Sequence, residues 1–378
     1  MSNKLTPHQK PFADEMYRIL GSGFSFVETL HIAPEQLPIG WRSVEQPPYL
    51  ISEERYFSDR EDVERIILSC DVLIYGSAPE DLVFRYLKQG RPVFKYSERI
   101  YKTPPSAAGA FLRKIKYTRR YKKFHHLYLL CASAYAYSDY VRSGVFRDRA
   151  YRWGYFPDAP ACDIDNVKRQ KKEAQILWCG RMVGWKHPEL AVEVARRLRD
   201  KHIAFSMILA GAGEKEAEIR AMISDGGLSG CVDCIGELTP AQVREYMLDS
   251  TIFLFTSDRR EGWGAVLNEA MNAGCAVVAS DAAGATPYLI SDQVNGLVYS
   301  SGDVDMLYKK TLMLLQDSEL RERLCRNAYD TIQRLWNPRL AVERIVKLSE
   351  CILKGEDYPH LFDDGPCSIA PMIKDKNI

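Results

Sequence analysis

The sequence predicts an α/β protein of two domains, each a parallel sheet with helices on both faces. Three observations carry this. The chain has 378 residues, more than one small domain needs. From Ala174 onward, apolar runs of five to seven residues alternate with amphipathic segments, the pattern of βαβ units. A polar, proline-bearing stretch, YFPDAPACDIDNVKRQKKEAQ, separates that half from a similar but less regular first half.

In the first half, GFSFVET, DVLIYGS, RPVFKYS and LYLLCAS read as strands. QKPFADEMYRILG, DREDVERIILSC, PEDLVFRYLKQG and SDYVRSGVF read as helices. The opening is unusual, because a helix follows MSNKLTPH with no buried strand before it. The expectation is a lost first strand and an unfilled sheet edge. Pro34, Pro38, Pro47 and Pro48 mark an irregular connection.

The second half runs AQILWCG, helix, AFSMILAGAG, helix, CVDCIGEL, helix, TIFLFTS, helix, CAVVASD, a short helix and NGLVYSS. Three helical segments follow, the last beginning at Pro338, where proline suits a helix start. Beyond Lys354 no periodicity is visible. The division expected is 1–160, 161–335, and 336–378 packing back on the first domain.

Composition excludes several classes. A net charge of +1 gives no overall attraction to nucleic acid or membrane. No apolar stretch is long enough to span a bilayer, and the polar start lacks the apolar core of a signal peptide. The ten cysteines therefore read as reduced thiols of a cytoplasmic protein. Cys231 and Cys234 have CxxC spacing without a second pair, which points to ordinary residues of a buried strand rather than zinc ligands.

Ligands of open α/β sheets bind beyond the carboxyl ends of the strands, so the residues after each apolar run are the candidates. Arg181 and Lys186 follow the first run of the second half, on a loop that opens with Gly180. Two cations there suit a diphosphate, or else a solvated loop. AGAGEKE has Gly211 and Gly213 but Glu216 where GxGxxG needs glycine, which argues against a dinucleotide fingerprint. TSDRREGWGAVLNEAM follows the fourth run. It places Glu261 beside a helix start near Trp263 or Gly264, where unpaired N–H groups favour anions. Read as one helix, Glu261 and Glu269 stand about 12 Å apart and about 80° around the axis, too far to share a proton. That separation suits an elongated ligand with hydroxyls at both ends. Glu269 lies among Leu267, Ala270 and Met271, on a helix that should be largely buried.

Together, Gly180-Arg181, Lys186 and Glu261-x7-Glu269 within EGWG resemble the family 4 retaining glycosyltransferases of the GT-B fold. The run AVVASDAAGATPYLISDQVNGLVYSSGD extends the likeness, which covers roughly Ile176 to Asp303. The resemblance implies two Rossmann-like domains with a cleft between them and a C-terminal helix returning to the first. It implies transfer of a sugar, with retention, from a nucleotide-diphospho-sugar to a glycan or lipid-linked acceptor in cell-surface polysaccharide synthesis. Arg181 and Lys186 would stabilise the diphosphate leaving group. Glu261 would accept from the donor sugar and Glu269 from the ribose. The backbone of Gly262, Trp263, Gly264, Ala265, Val266 and Leu267 would meet sugar and phosphate. Glu237 and Leu238 would line the base. No metal and no separate cofactor are implied.

On the acceptor side the sequence departs from the family pattern. His8 and Arg99 are the candidates there. The basic, aromatic-interleaved segment 111–126 suits either an anionic membrane surface or a solvated helix, and no nucleic-acid motif accompanies it. Peripheral contact with the inner face of the membrane is the corresponding expectation. The rival readings are a nucleotide-sugar-binding protein that has lost catalysis and a GT-B-like epimerase or hydrolase.

Overall fold

The computed structural model describes residues 1–32, 46–356 and 360–373. The connection bearing Pro34 and Pro38 lies outside them. The chain divides into two compact units, Met1–Asp158 with Asn337–Ile378, and Ala159–Trp336.

In the first unit the order is α1 (Lys10–Leu20), β1 (Phe26–Val27), β2 (Leu50–Ile51), α2 (Glu53–Ser58), α3 (Arg60–Ser69) and β3 (Leu73–Tyr75). Then come α4 (Glu80–Leu87), β4 (Val93–Ser97), α5 (Ala107–Tyr121), β5 (Leu127–Cys131), α6 (Ala136–Arg142) and β6 (Ala150–Arg152). Strands β3-β4-β5-β6 form one parallel sheet, and β1 pairs in parallel with β2. The expected unfilled edge is not there. The Met1 amine donates to Ile74 O at 2.8 Å, and Met1 O accepts from Gly76 N at 3.1 Å. On its other side Ser2 N donates to Val27 O at 3.1 Å, and Ser2 O accepts from Thr29 N at 3.0 Å. The opening residues thus lie extended between β1 and β3, joining the two sets of strands. Three residues are too few for a periodic signal, which is why the segment reads as a loop.

The far edge is covered in the same manner. Arg152 N donates to Ser368 O at 2.7 Å and Ala370 N to Ala150 O at 3.0 Å, so the aperiodic tail pairs antiparallel to β6. That pairing satisfies edge groups that would otherwise be open to another chain. Helix α15, described below, packs on α1 within this unit.

The second unit runs α7 (Ile164–Gln170), β7 (Lys172–Cys179), α8 (Pro188–Asp200), β8 (Ser206–Ala210), α9 (Glu216–Asp225), β9 (Val232–Gly236) and α10 (Pro240–Asp249). It continues with β10 (Ser250–Phe255), α11 (Ala265–Asn272), β11 (Ala276–Ser280), α12 (Thr286–Leu289), β12 (Leu297–Tyr299), α13 (Val304–Gln316) and α14 (Ser318–Arg334). Helix α15 (Pro338–Lys354) follows, capped by Asn337, whose side chain accepts from Leu340 N at 2.9 Å. The six strands are parallel in the order β12-β11-β10-β7-β8-β9.

The stretch read as a polar linker is in part a helix. Asp163 caps α7 by accepting from Asp165 N at 3.1 Å, while Ile164 and Val167 are buried. Cys234 lies on the edge strand β9 and is half-buried, not in a buried strand as its apolar neighbours suggest. No described helix is long and apolar enough to cross a membrane.

Candidate active site

In the second unit the chain leaves β7 toward β8 on one side, while β10 is its neighbour on the other. The strand order therefore reverses at β7, and the loops after β7 and β10 diverge there, the point where open α/β sheets bind ligands. Several bonds tie the two loops together. Trp178 Nε1 donates to Thr256 Oγ1 at 2.8 Å, Thr256 Oγ1 donates to Lys186 O at 2.5 Å, and Asp258 N donates to Trp185 O at 2.9 Å. Gly211, after β8, has φ 139°, and a Cβ there would overlap the Gly180 carbonyl. Glycine is required by this close approach of neighbouring loops.

Lys186 and Glu261 form an ion pair across the crevice, each side chain only 14% exposed. Arg181 is exposed, with its guanidinium 5.3 Å over the Trp185 ring, and has no carboxylate partner among the described residues. Arg260 approaches the same ring at 5.8 Å. A half-buried glutamate and lysine and an exposed arginine thus lie on the two joined loops.

The single-helix geometry expected for Glu261 and Glu269 does not hold. Helix α11 begins at Ala265, so Glu261 lies in the preceding loop. Gly264 is the N-cap at φ 98°, and a Cβ there would overlap the Phe255 ring. No side chain caps this helix start; Leu267 N donates to Gly264 O at 3.0 Å, and the N–H groups ahead of it have no capping side chain. The loop is held from behind. Gly284 N donates to Glu261 O at 3.3 Å and Ala285 N to Trp263 O at 3.1 Å. Trp263 is fully buried, donates from Nε1 to Asn268 Oδ1 at 2.8 Å and packs on Trp336 with ring centroids 5.8 Å apart. Ala265 and Leu267 are buried and Val266 is half-buried.

Glu269 is half-buried, and burial pushes its carboxyl up to about 7, with Arg244 pulling the other way. Burial and the charge of Glu269 push the Cys179 thiol at the end of β7 to about 12, which sets Glu269 beside that strand end. Glu237, exposed, and Leu238, half-buried, follow β9. From β10 to β9 is three strand spacings, about 14 Å. Glu261, after β10, and the pair Glu237–Leu238, after β9, thus follow strands at that spacing, with the loop bearing Arg181 and Lys186 following β7 between them.

Sequence reasoning missed a second link between the loops. His187 has a left-handed backbone, φ 50°, and its Nδ1 lies 2.8 Å from Glu189 Oε1 and its Nε2 3.3 Å from Asp258 Oδ2. Asp258 also accepts from Arg260 N at 2.7 Å, and Lys215 Nζ lies 3.0 Å from Glu189. Bonds to Asp258 and Glu189 push the imidazole up to about 9. Burial alone would raise the Glu189 carboxyl, but its bond to His187 brings it down to about 2. An unperturbed histidine titrates near 6.5. The clasp therefore contributes fully below that value and fades as pH rises through about 9. In thermal melts, the wild type is expected to lose stability across this window. His187→Gln, melting lower at neutral pH, should show a flatter profile. The available signal was a histidine between Lys186, on the loop after β7, and the helix-starting Pro188.

In the first unit, Arg99 is not presented to a ligand. Its side chain is fully buried, 3.6 Å from Asp139 and stacked 4.9 Å over Tyr135. Asp139 also accepts from Ile100 N at 3.1 Å and Tyr101 N at 3.0 Å, so the arginine belongs to the packing of that turn. His8 is half-buried and stacked on Tyr155, which stacks on Tyr96 at 5.9 Å and donates to Glu98 Oε1 at 2.6 Å. Burial lowers the His8 pKa. Tyr96, Glu98 and Tyr155 were not legible as partners of His8, because aromatic residues at strand ends read equally well as core.

Comparison with known proteins bears on this geometry. Over 181 residues the chain is 28% identical to the amylovoran biosynthesis glycosyltransferase AmsK of Erwinia amylovora, a match covering 47% of this chain and 44% of that protein. Over 190 residues it is 25% identical to the alpha-D-kanosaminyltransferase of Streptomyces kanamyceticus, covering 48% of this chain and 49% of that one. The chain spans about half the length of the curated relatives it matches. Among solved structures, a glycosyltransferase from Rickettsia africae aligns with TM-score 0.68 at 15% identity, covering 94% of this chain and 98% of that one. Anabaena Alr3699/HepE in complex with UDP and glucose aligns with TM-score 0.63 at 16% identity, covering 92% and 96%. These likenesses show the GT-B fold, two Rossmann-like α/β domains. Residues 163–331, nearly all of the second unit, match the family model described as glycosyl transferases group 1.

Proposed function

We propose that the chain is a retaining glycosyltransferase that moves a sugar from a nucleotide-diphospho-sugar to a glycan or lipid-linked acceptor in polysaccharide synthesis. The observation that carries this is the Lys186–Glu261 pair beside the exposed Arg181 and the uncapped start of α11, all at the switch point of the sheet. Arg181 and Lys186 neutralise the diphosphate as negative charge develops on the leaving group, the kind of electrostatic stabilisation that supplies the largest share of many rate enhancements. The N–H groups at the start of α11 take a phosphate oxygen, and Glu261 accepts from a donor-sugar hydroxyl. Glu269 accepts from the ribose, and the base lies toward Glu237 and Leu238. The leaving phosphate takes the acceptor's proton, so retention needs no strong protein base.

On the acceptor side, the stacked His8, Tyr155 and Tyr96, with Glu98, suit a sugar face and its hydroxyls. The first turns of α5 expose Phe111 (62%) and Leu112 (65%) ahead of a cationic run, which supports peripheral contact with an anionic membrane surface from the cytoplasm. The names of two relatives, in amylovoran and colanic acid biosynthesis, support the polysaccharide assignment.

The reading is tested by incubating the protein with a panel of nucleotide-sugars, UDP-sugars first, and measuring nucleotide release with and without oligosaccharide and polyprenyl-phosphate-sugar acceptors. Acceptor-dependent release is expected. Binding without release would favour a donor-binding protein that has lost catalysis. Because Glu269 accepts hydroxyl bonds best when ionised and its carboxyl sits near 7, donor affinity should rise with pH through that value. The rise is up to about tenfold per pH unit below it. Calorimetric titration at stepped pH should show this slope in the wild type and its loss in Glu269→Gln.

A further inference from the structure

The first unit carries positive charge that its own carboxylates do not compensate. Between Phe111 and His125 stand Arg113, Lys114, Lys116, Arg119, Arg120, Lys122 and Lys123, with no acidic residue. Arg113 is occupied by Ile100 O and the Tyr101 ring, and Arg120 by Glu80. Arg119, Lys122 and Lys123 have no ion pair among the described residues. Several exposed arginines elsewhere do: Arg60 with Glu64, Arg65 with Asp62, Arg196 with Glu193 and Asp200. The whole chain is nearly neutral at +1, so this concentration is local.

These cations converge. Arg119, Lys122, Lys123 and His125, at the end of α5, face Arg147 and Arg149 of the turn between α6 and β6 across a groove of about 690 Å³. Its floor is apolar, from Val141, Val145 and Phe146, and no carboxylate lines it. Asp148, between the two arginines, is exposed and is not among the lining residues. In that turn Phe146 and Asp148 both hold positive φ, at 62° and 61°. Arg149 donates to Phe124 O at 2.6 Å, which fixes its guanidinium against the groove. The α5 macrodipole favours cations at that helix end, but it acts over the last turn only and does not reach the arginines of the opposite wall. The groove lies where β5 and β6 begin, at the opposite end of the strands from Tyr96, near the end of β4, and Tyr155, which follows β6.

We infer that this groove is a second anion site, which takes a ligand bearing more than one phosphate charge. The inference does not rest on the glycosyltransferase reading, since none of its residues belongs to the second unit. Six cationic or titratable side chains around one concavity exceed what a single monoanion can neutralise, and guanidinium groups fork onto phosphate oxygens. The apolar floor accommodates the carbon skeleton of a phosphate ester. The phosphate comes either from a soluble polyphosphate or from the head groups of an anionic bilayer.

The full-length chain is titrated calorimetrically with inorganic pyrophosphate at low salt. It is also sedimented with vesicles of phosphatidylcholine alone or mixed with phosphatidylglycerol. Wild type is compared with Lys122→Gln/Lys123→Gln/Arg147→Gln, and with Arg181→Ala as a control in the other unit. Unchanged melting temperature and circular dichroism check that the triple variant is folded. A loss of about tenfold or more in pyrophosphate affinity in the triple variant, with the groove site intact in Arg181→Ala, supports a soluble phosphate ligand. Loss of phosphatidylglycerol-dependent sedimentation in the triple variant, without a change in pyrophosphate binding, supports lipid head groups as the source. A folded triple variant that matches wild type in both arms overturns the proposal.

Discussion

Glu261→Ala is expected to lower kcat/KM for sugar transfer by about a thousandfold while the protein stays folded. The carboxylate is paired with Lys186 in a crevice where both side chains are largely shielded from water. On the proposed reading, removing it would take away the acceptor for the donor sugar and release the lysine that would face the leaving group. Both losses fall on interactions that strengthen as charge develops. Glu261→Gln keeps the volume and a hydrogen-bonding carbonyl, and activity should recover only in part, because the charge that sets Lys186 is gone. Steady-state kinetics with circular dichroism on the same preparations separate a chemical loss from unfolding. Full activity in a folded Glu261→Ala would show that this carboxylate does not serve the reaction.

Trp263→Ala should cost about 3–5 kcal/mol of stability in the second unit. The indole is fully buried, bonded to Asn268, and packed with Tyr288 and Trp336. Its removal leaves a cavity behind the loop that carries Glu261 and strands the Asn268 carbonyl oxygen. Urea denaturation should show the loss. Transfer at a temperature where the variant is still folded should also fall, since the lost indole packs behind the loop that carries Glu261. Trp263→Phe keeps most of the apolar contact and should lose roughly half as much.

How far the fold can be read from the chain depends on strand length. In the second unit β7, β8, β10 and β11 are strands of five or more residues with apolar centres, and each announces itself. In the first unit β2 has two residues and β6 three, too short for any periodicity. The strand-like placement of residues 1–3 and the pairing of the tail with β6 are invisible for the same reason. Both depend on edges made by distant parts of the chain.

The site shows the same division. Arg181, Lys186 and Glu261 are legible because each follows an apolar run, and the parallel-sheet rule points there. The partnership of Lys186 with Glu261 is not, since it follows from β7 and β10 being neighbours rather than from spacing. The expected rotation between Glu261 and Glu269 failed because Gly264 sits at φ 98°, so the helix starts four residues after Glu261. Arg99 looked available because it follows a strand. Its burial against Asp139 depends on α6, which the local sequence does not reveal. The groove cations were visible as a basic run on α5, but their convergence with Arg147 and Arg149 required the turn after α6.

The central claim is that the crevice between the loops after β7 and β10 holds the diphosphate of a nucleotide-sugar. Calorimetric titration of the wild type and Lys186→Ala with a panel of nucleotide-sugars, UDP-sugars first, tests it most directly. The account predicts one-to-one binding to the wild type and an affinity about tenfold or more weaker in Lys186→Ala, the loss of one charge-assisted contact. Equal affinity in the two proteins, or no nucleotide-sugar bound by the wild type, would contradict it.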